Sequence, residues 1–176
     1  MNLLAEAPVF ARLLLVALLV GAAIEDVRRR RIANSWCAGV LAVAGVAAIA
    51  AGPTIEMWQN GVLFALLLAL GLPLFAAGWL GGGDVKLLAT LGAWTTFAGA
   101  VPLLVAIFIT GGVVAALSLA VKGGKAARRS KGLPYGVPIA IGAMIVMLQP
   151  VLSGARAPTL APLDLKAANE RAGIGG

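Results

Sequence analysis

The chain has no histidine and one cysteine, so any acid–base chemistry has to come from carboxylates or lysines. Its acidic residues are Glu6, Glu25, Asp26, Glu56, Asp84, Asp164 and Glu170. Two of them stand in unusual settings. Asp84 follows three consecutive glycines in Gly81-Gly82-Gly83-Asp84-Val85-Lys86, and Asp26 is followed closely by Arg28, Arg29, Arg30 and Arg31. Two carboxylates brought together cannot both ionise cheaply, so they share a proton and titrate as a pair. Such a pair can activate water with one member and protonate a peptide carbonyl with the other. This chemistry needs no metal and no cofactor. Zinc sites built from His and Cys are excluded by composition, as is serine–histidine hydrolysis.

The elements that carry these groups are apolar. Of 176 residues, 61% are hydrophobic and 12% charged, with a mean hydropathy of +0.99. Soluble domains carry about 25% charged residues, so the composition is that of a membrane protein. Apolar runs occupy Val9–Ile24, Ser35–Ala51, Trp58–Leu80, Val85–Phe97, Ala100–Val121 and Tyr135–Leu152. Crossing a bilayer core takes about 20 helical residues. An all-α polytopic protein with about six transmembrane helices is therefore expected, and the short fourth segment is either tilted or re-entrant. Residues 1–152 read as one membrane domain. Residues 153–176, rich in Ala, Pro and Gly, read as a flexible tail. The first segment is expected to be retained, because positive charge follows its apolar core, where a cleaved signal peptide carries it in front.

Basic residues alternate between connections. Arg28–Arg31 follow the first segment, Lys86 the third, and Lys122, Lys125, Arg128, Arg129 and Lys131 the fifth. Positive loops stay cytoplasmic, so the N-terminus is expected outside. The net charge of +7 is thus a topological signal. It suits contact with anionic membrane lipids and gives no basis for a nucleic-acid partner. Glu6 and Glu56 fall on the outer side, and Asp164 and Glu170 in the tail. Glu25, Asp26 and Asp84 remain at cytoplasmic segment ends. Glu25 would point about 100° away from Asp26 around a helix. An ionisable group at membrane depth usually faces a protein interior or a water-filled cavity.

Plain structural readings exist for each residue. Asp84 is a favoured helix N-cap, with flexible glycines ahead of it. Asp26 could simply pair with its arginines. Lys86 suits snorkelling to the interface, Tyr135 an interfacial aromatic, Pro134 a helix start, and Cys37 packing. Trp36, Trp58, Trp79 and Trp94 fall mostly near segment ends, where interfacial anchoring accounts for them.

Gly81-Gly82-Gly83-Asp84 followed by Val85-Lys86-Leu87 resembles the GxGD signature of the type IV prepilin peptidases, a family of intramembrane aspartic proteases. Asp26 and the later Ile32-Ala33-Asn34 resemble the family's other aspartate and its Ile/Leu-Pro-Asn element, with Ala33 in the usual place of proline. Lys131-Gly132-Leu133-Pro134-Tyr135-Gly136-Val137-Pro138 resembles a third element near the last helix. The resemblance implies catalysis by Asp26 and Asp84, with Gly81, Gly83, Lys86, Asn34, Lys131, Pro134, Tyr135 and Gly136 shaping the site. It implies a prepilin or pseudopilin substrate with a short basic leader, cut at the cytoplasmic face of a bacterial inner membrane. The chain lacks the cysteine-containing insert of bifunctional members and is most similar to the short form of tight-adherence (Flp-type) pili. Two other readings compete with proteolysis. One is a small cation or proton transporter built on the same carboxylates, and the other is a noncatalytic scaffold of a pilus or secretion assembly.

Overall fold

In the computed structural model, which describes residues 2–52, 54–129 and 135–154, the chain is all-helical, with no strand among the described residues. The helices are α1 (Leu3–Glu6), α2 (Val9–Arg29), α3 (Asn34–Ala51), α4 (Met57–Ala76), α5 (Gly82–Gly92), α6 (Phe97–Arg129) and α7 (Gly136–Gly154). By length and apolarity α3, α4 and the Phe97–Ala120 part of α6 can cross a membrane, and Gly136–Gln149 of α7 is a shorter apolar helix. The chain is a polytopic membrane protein, as its composition requires.

Helix α2 buries Ala11, Leu15, Leu19, Ala22 and Asp26. Their spacing of three and four residues is a single stripe on a 3.6-residue helix. The stripe faces α3 and α7, while Phe10, Leu13, Ile24 and Val27 point outward. Asp26 is the last member of the stripe, so the apolar register that packs α2 also turns this carboxylate inward. The apolar run ends at Ile24, but the helix continues to Arg29, since arginine is a good helix former and cations suit a helix C-terminus. Arg30 then takes the left-handed conformation, with φ of 53°, and donates its N–H to the Asp26 carbonyl at 2.8 Å.

The expected fourth segment, Val85–Phe97, is helical only as far as Gly92. Eleven residues of α5 span about 16 Å, half of a bilayer core. The helix nevertheless runs antiparallel alongside most of α4. Gly82 lies against Phe75, Gly71 against Val85, and Gly92 against Leu63. Beyond α5 the Asn60 side chain donates to the Ala93 carbonyl at 3.0 Å, and Gln59 accepts the Phe97 N–H at 3.2 Å. The non-helical stretch 93–96 therefore reaches the start of α4, with Trp94, Thr95 and Thr96 buried. Irregular backbone is tolerated at membrane depth where protein encloses it, and α3, α4 and α7 enclose α5.

Two expectations change. Trp94 is fully buried and donates its indole N–H to the Val40 carbonyl at 3.0 Å, so it is a core residue and not an interfacial anchor. The basic stretch after the fifth segment is not an open loop as far as Arg129, because α6 runs through it for 33 residues in all.

Candidate active site

The ends of α2, α5 and α7 meet at one corner of the molecule. Asp26 is 5% exposed and Asp84 8% exposed. Although 58 positions separate them in the chain, both line one pocket of about 290 Å³ together with Arg30, Arg31, Ile32, Gly81, Gly82 and Gly83. Two slightly larger clefts on the outer face of α2 and α7 are apolar and contain no carboxylate. Among the described residues, the buried carboxylates are concentrated here.

Each aspartate is held by one backbone amide. Asp26 Oδ2 accepts the Gly136 N–H at 2.8 Å in a buried contact. Gly136 opens α7, so this carboxylate sits at a helix N-terminus, where partial positive charge gathers. Asp84 Oδ2 accepts the Gly81 N–H at 3.1 Å. The cap position of α5 is Gly81, and Asp84 lies three residues later, which corrects the expectation that Asp84 itself caps the helix. Glycine has no side chain to return a bond, so only the carboxylate half of a capping box exists. The other oxygen, Asp84 Oδ1, is buried with no hydrogen-bond partner among the described residues. A buried polar oxygen without a partner costs roughly 1–3 kcal/mol.

Ile32 keeps the corner tight. A Cβ on Gly83 would lie 2.8 Å from the Ile32 Cβ and 3.0 Å from its carbonyl oxygen. A Cβ on Gly136 would lie 3.0 Å from Asp26 Oδ2 and 3.1 Å from Ile32 Cδ1. Gly83 is thus required by the close approach of the Ile32 backbone, while at Gly136 a Cβ would push the Asp26 and Ile32 side chains by a few tenths of an ångström.

The other expected site residues divide into two groups. Lys86, exposed, donates from Nζ to Asn34 Oδ1 at 2.9 Å, joining α5 to α3 beside the pocket. Tyr135 is half-buried, and its carbonyl accepts the Ile139 N–H in the first turn of α7. Lys131 and Pro134 lie outside the described residues. Sequence reasoning set Glu25 aside because it points away from Asp26. It does point away, toward α3, where it accepts from Trp36 Nε1 at 2.6 Å and from the Ala33 N–H at 3.2 Å. No sequence motif marks these bonds, because they depend on how the turn from α2 to α3 closes.

A family model for the type IV leader peptidase family matches residues 13–116. The chain belongs to that family. The match covers more than half of the chain and takes in Asp26, Asn34, Gly81, Gly83, Asp84 and Lys86, while Tyr135 and Gly136 lie beyond it. Family membership makes the chain a membrane-embedded peptidase whose general role is that of a type IV prepilin leader peptidase. No curated protein and no solved structure matches the chain.

Proposed function

We propose that this leader peptidase is an intramembrane aspartic endopeptidase in which Asp26 and Asp84 form the catalytic dyad. The observation that carries this reading is their convergence, from helices far apart in sequence, on one buried polar pocket. In the proposed reaction one carboxylate takes a proton from water as the water oxygen bonds to the peptide carbonyl carbon. The other carboxylic acid gives its proton to the carbonyl oxygen. The resulting gem-diol collapses as one hydroxyl returns its proton to the second carboxylate, the C–N bond breaks, and the departing amine takes the proton that the first carboxylate drew from water. The sequence alone favours Asp84 as base, since it opens a helix. The structure places Asp26 at the N-terminus of α7 as well, with the shorter amide bond of the two. We therefore assign Asp26 as base and Asp84, whose Oδ1 has no partner among the described residues, as the acid.

The face of cleavage follows from charge. Arg30 and Arg31 line the pocket and Lys86 is exposed beside it, and positive ends face the cytoplasm. The reading is of a multi-pass protein of the bacterial cytoplasmic membrane, with the scissile bond just inside that surface. Family membership implies a prepilin substrate, and an Flp-type prepilin is the one proposed.

The test is co-expression with a prepilin bearing a basic leader, with product mass as readout. Wild type removes the leader. Asp26→Asn and Asp84→Asn each insert into the membrane and leave the precursor uncut. Cleavage surviving in either variant removes the dyad.

A further inference from the structure

Beside the pocket lies a group of side chains that the proposed chemistry does not use. The turn 30–33 links α2 to α3 and forms one lip of the pocket through Arg30, Arg31 and Ile32. The turn is held at three points. Its first N–H, from Arg30, bonds the Asp26 carbonyl, and Ile32 packs against Gly83 and Gly136. Its last N–H, from Ala33, bonds Glu25 Oε2.

Ala33 is the N-cap residue of α3 and has no side chain able to cap. Glu25 supplies a carboxylate there from the preceding helix, at the end where helix charge favours an anion. The same oxygen takes the Trp36 indole N–H, the shorter of the two bonds. Gly21 lies one turn before Glu25 on the same face of α2, and a Cβ on it would overlap the Trp36 ring. Gly21 makes room for the indole, and Glu25 fixes its orientation. Glu25 Oε1 faces Arg29 at 3.5 Å, but Arg29 is largely exposed, so this ion pair adds little. The residue after Trp36 is Cys37, buried with its Sγ 3.9 Å from the Gly83 carbonyl. The group therefore reaches from α2 across α3 to the glycines ahead of Asp84.

We propose that Gly21, Glu25 and Trp36 form a clamp that sets the position of Asp26 and of the Arg30–Ile32 lip relative to Asp84, with Glu25 a positioning residue and not a third catalytic acid. This rests on the peptidase reading for its effect on rate. Its effect on structure stands without it. Asp26 is the next residue along the backbone from Glu25, so loosening the last turn of α2 moves Asp26 directly. Displacements approaching 1 Å at a catalytic group cost on the order of 10²-fold in rate.

The experiment uses the full chain in membranes and two readouts. The first is leader removal, with kcat and KM separated. The second is the rate at which the single Cys37 reacts with a membrane-permeant maleimide. Glu25→Ala removes both acceptor bonds, and Trp36→Phe removes the indole donor while keeping a ring over Gly21. In each, kcat should fall about tenfold or more with KM within about threefold, and Cys37 labelling should quicken about fivefold. Glu25→Gln keeps a carbonyl oxygen able to accept both bonds, so it should recover most of the loss in both readouts. Glu25→Gln as inactive as Glu25→Ala would make the charge itself essential and overturn the positioning role. Unchanged Cys37 labelling in Glu25→Ala and Trp36→Phe would overturn the clamp, and faster labelling with unchanged kcat would overturn its link to Asp26. If wild type cuts no prepilin, the peptidase reading fails, while the labelling series still decides the clamp.

Discussion

The three glycines before Asp84 are not equivalent, and alanine at each position separates their roles. At Gly83 the new Cβ would sit 2.8 Å from the Ile32 Cβ, 3.0 Å from its carbonyl oxygen and 3.3 Å from its nitrogen. All three atoms belong to or adjoin the backbone, so no side-chain rotation relieves the contact. Ordinary carbon–carbon contact is about 3.5 Å or more, so the turn and α5 would have to separate by roughly 0.7 Å. Overpacking of this kind costs about 1–3 kcal/mol in stability. A shift of that size in the first turn of α5 carries Asp84 with it, and kcat should fall about 30- to 100-fold. At Gly81 the Cβ would meet only Asp84 Oδ2, at 2.7 Å, with the backbone already in an extended conformation that alanine adopts. The carboxyl group can swing away but loses its amide bond, worth about 0.5–1.5 kcal/mol for a neutral acid, or up to about tenfold in rate. At Gly82 the neighbour is the edge of the Phe75 ring at 3.2 Å, and that ring is half-exposed and free to turn. Gly82→Ala should cleave at the wild-type rate, and removing a helical glycine adds up to about 0.5–1 kcal/mol. The assay is the initial rate of leader removal by mass, normalised to inserted enzyme. Gly83→Ala working as fast as Gly82→Ala at equal insertion would refute the close packing of Ile32 on Gly83.

Three further outcomes follow from the same geometry. Gly136→Ala pushes on Asp26 Oδ2 and Ile32 together, so kcat should drop at least about tenfold, measured on the same prepilin. Lys86→Met removes an exposed bond to Asn34, and cleavage should slow by no more than about tenfold, because such bonds contribute about 0.5–1.5 kcal/mol. Trp94→Phe removes the indole bond to the Val40 carbonyl, at a cost of about 0.5–1.5 kcal/mol. Its thermal midpoint in detergent should fall while kcat per folded enzyme stays at the wild-type value.

Much of this was legible in the residues themselves. Charge scarcity and apolar run lengths suffice for the membrane class, and the absence of histidine narrows the chemistry to carboxylates. The stripe from Ala11 to Asp26 shows only in the packing, because Phe10, Leu13, Ile24 and Val27 make the outward face of α2 equally apolar. The glycines announced a close approach to Asp84, but not that Ile32 makes it, since that contact joins two turns about 50 residues apart. The bond from Gly136 to Asp26 lay out of reach because it uses a backbone amide, and every residue but proline carries one. Trp94 was misplaced because segment ends were taken as membrane surfaces, whereas α5 ends inside the protein.

That interior ending has a consequence for how the chain is made. An eleven-residue helix followed by irregular backbone cannot leave the translocation channel for lipid alone, since its amides would meet hydrocarbon unpaired. It has to enter as a hairpin with α4, whose Asn60 and Gln59 satisfy the polar groups beyond its end. The Trp94 carbonyl takes its bond from the Leu4 amide, in the short helix α1. Leu4 therefore waits for a partner 90 positions behind it, and the far end of α5 is tied down only after the hairpin and α1 have met. Until then the protein can be inserted and still have no assembled site.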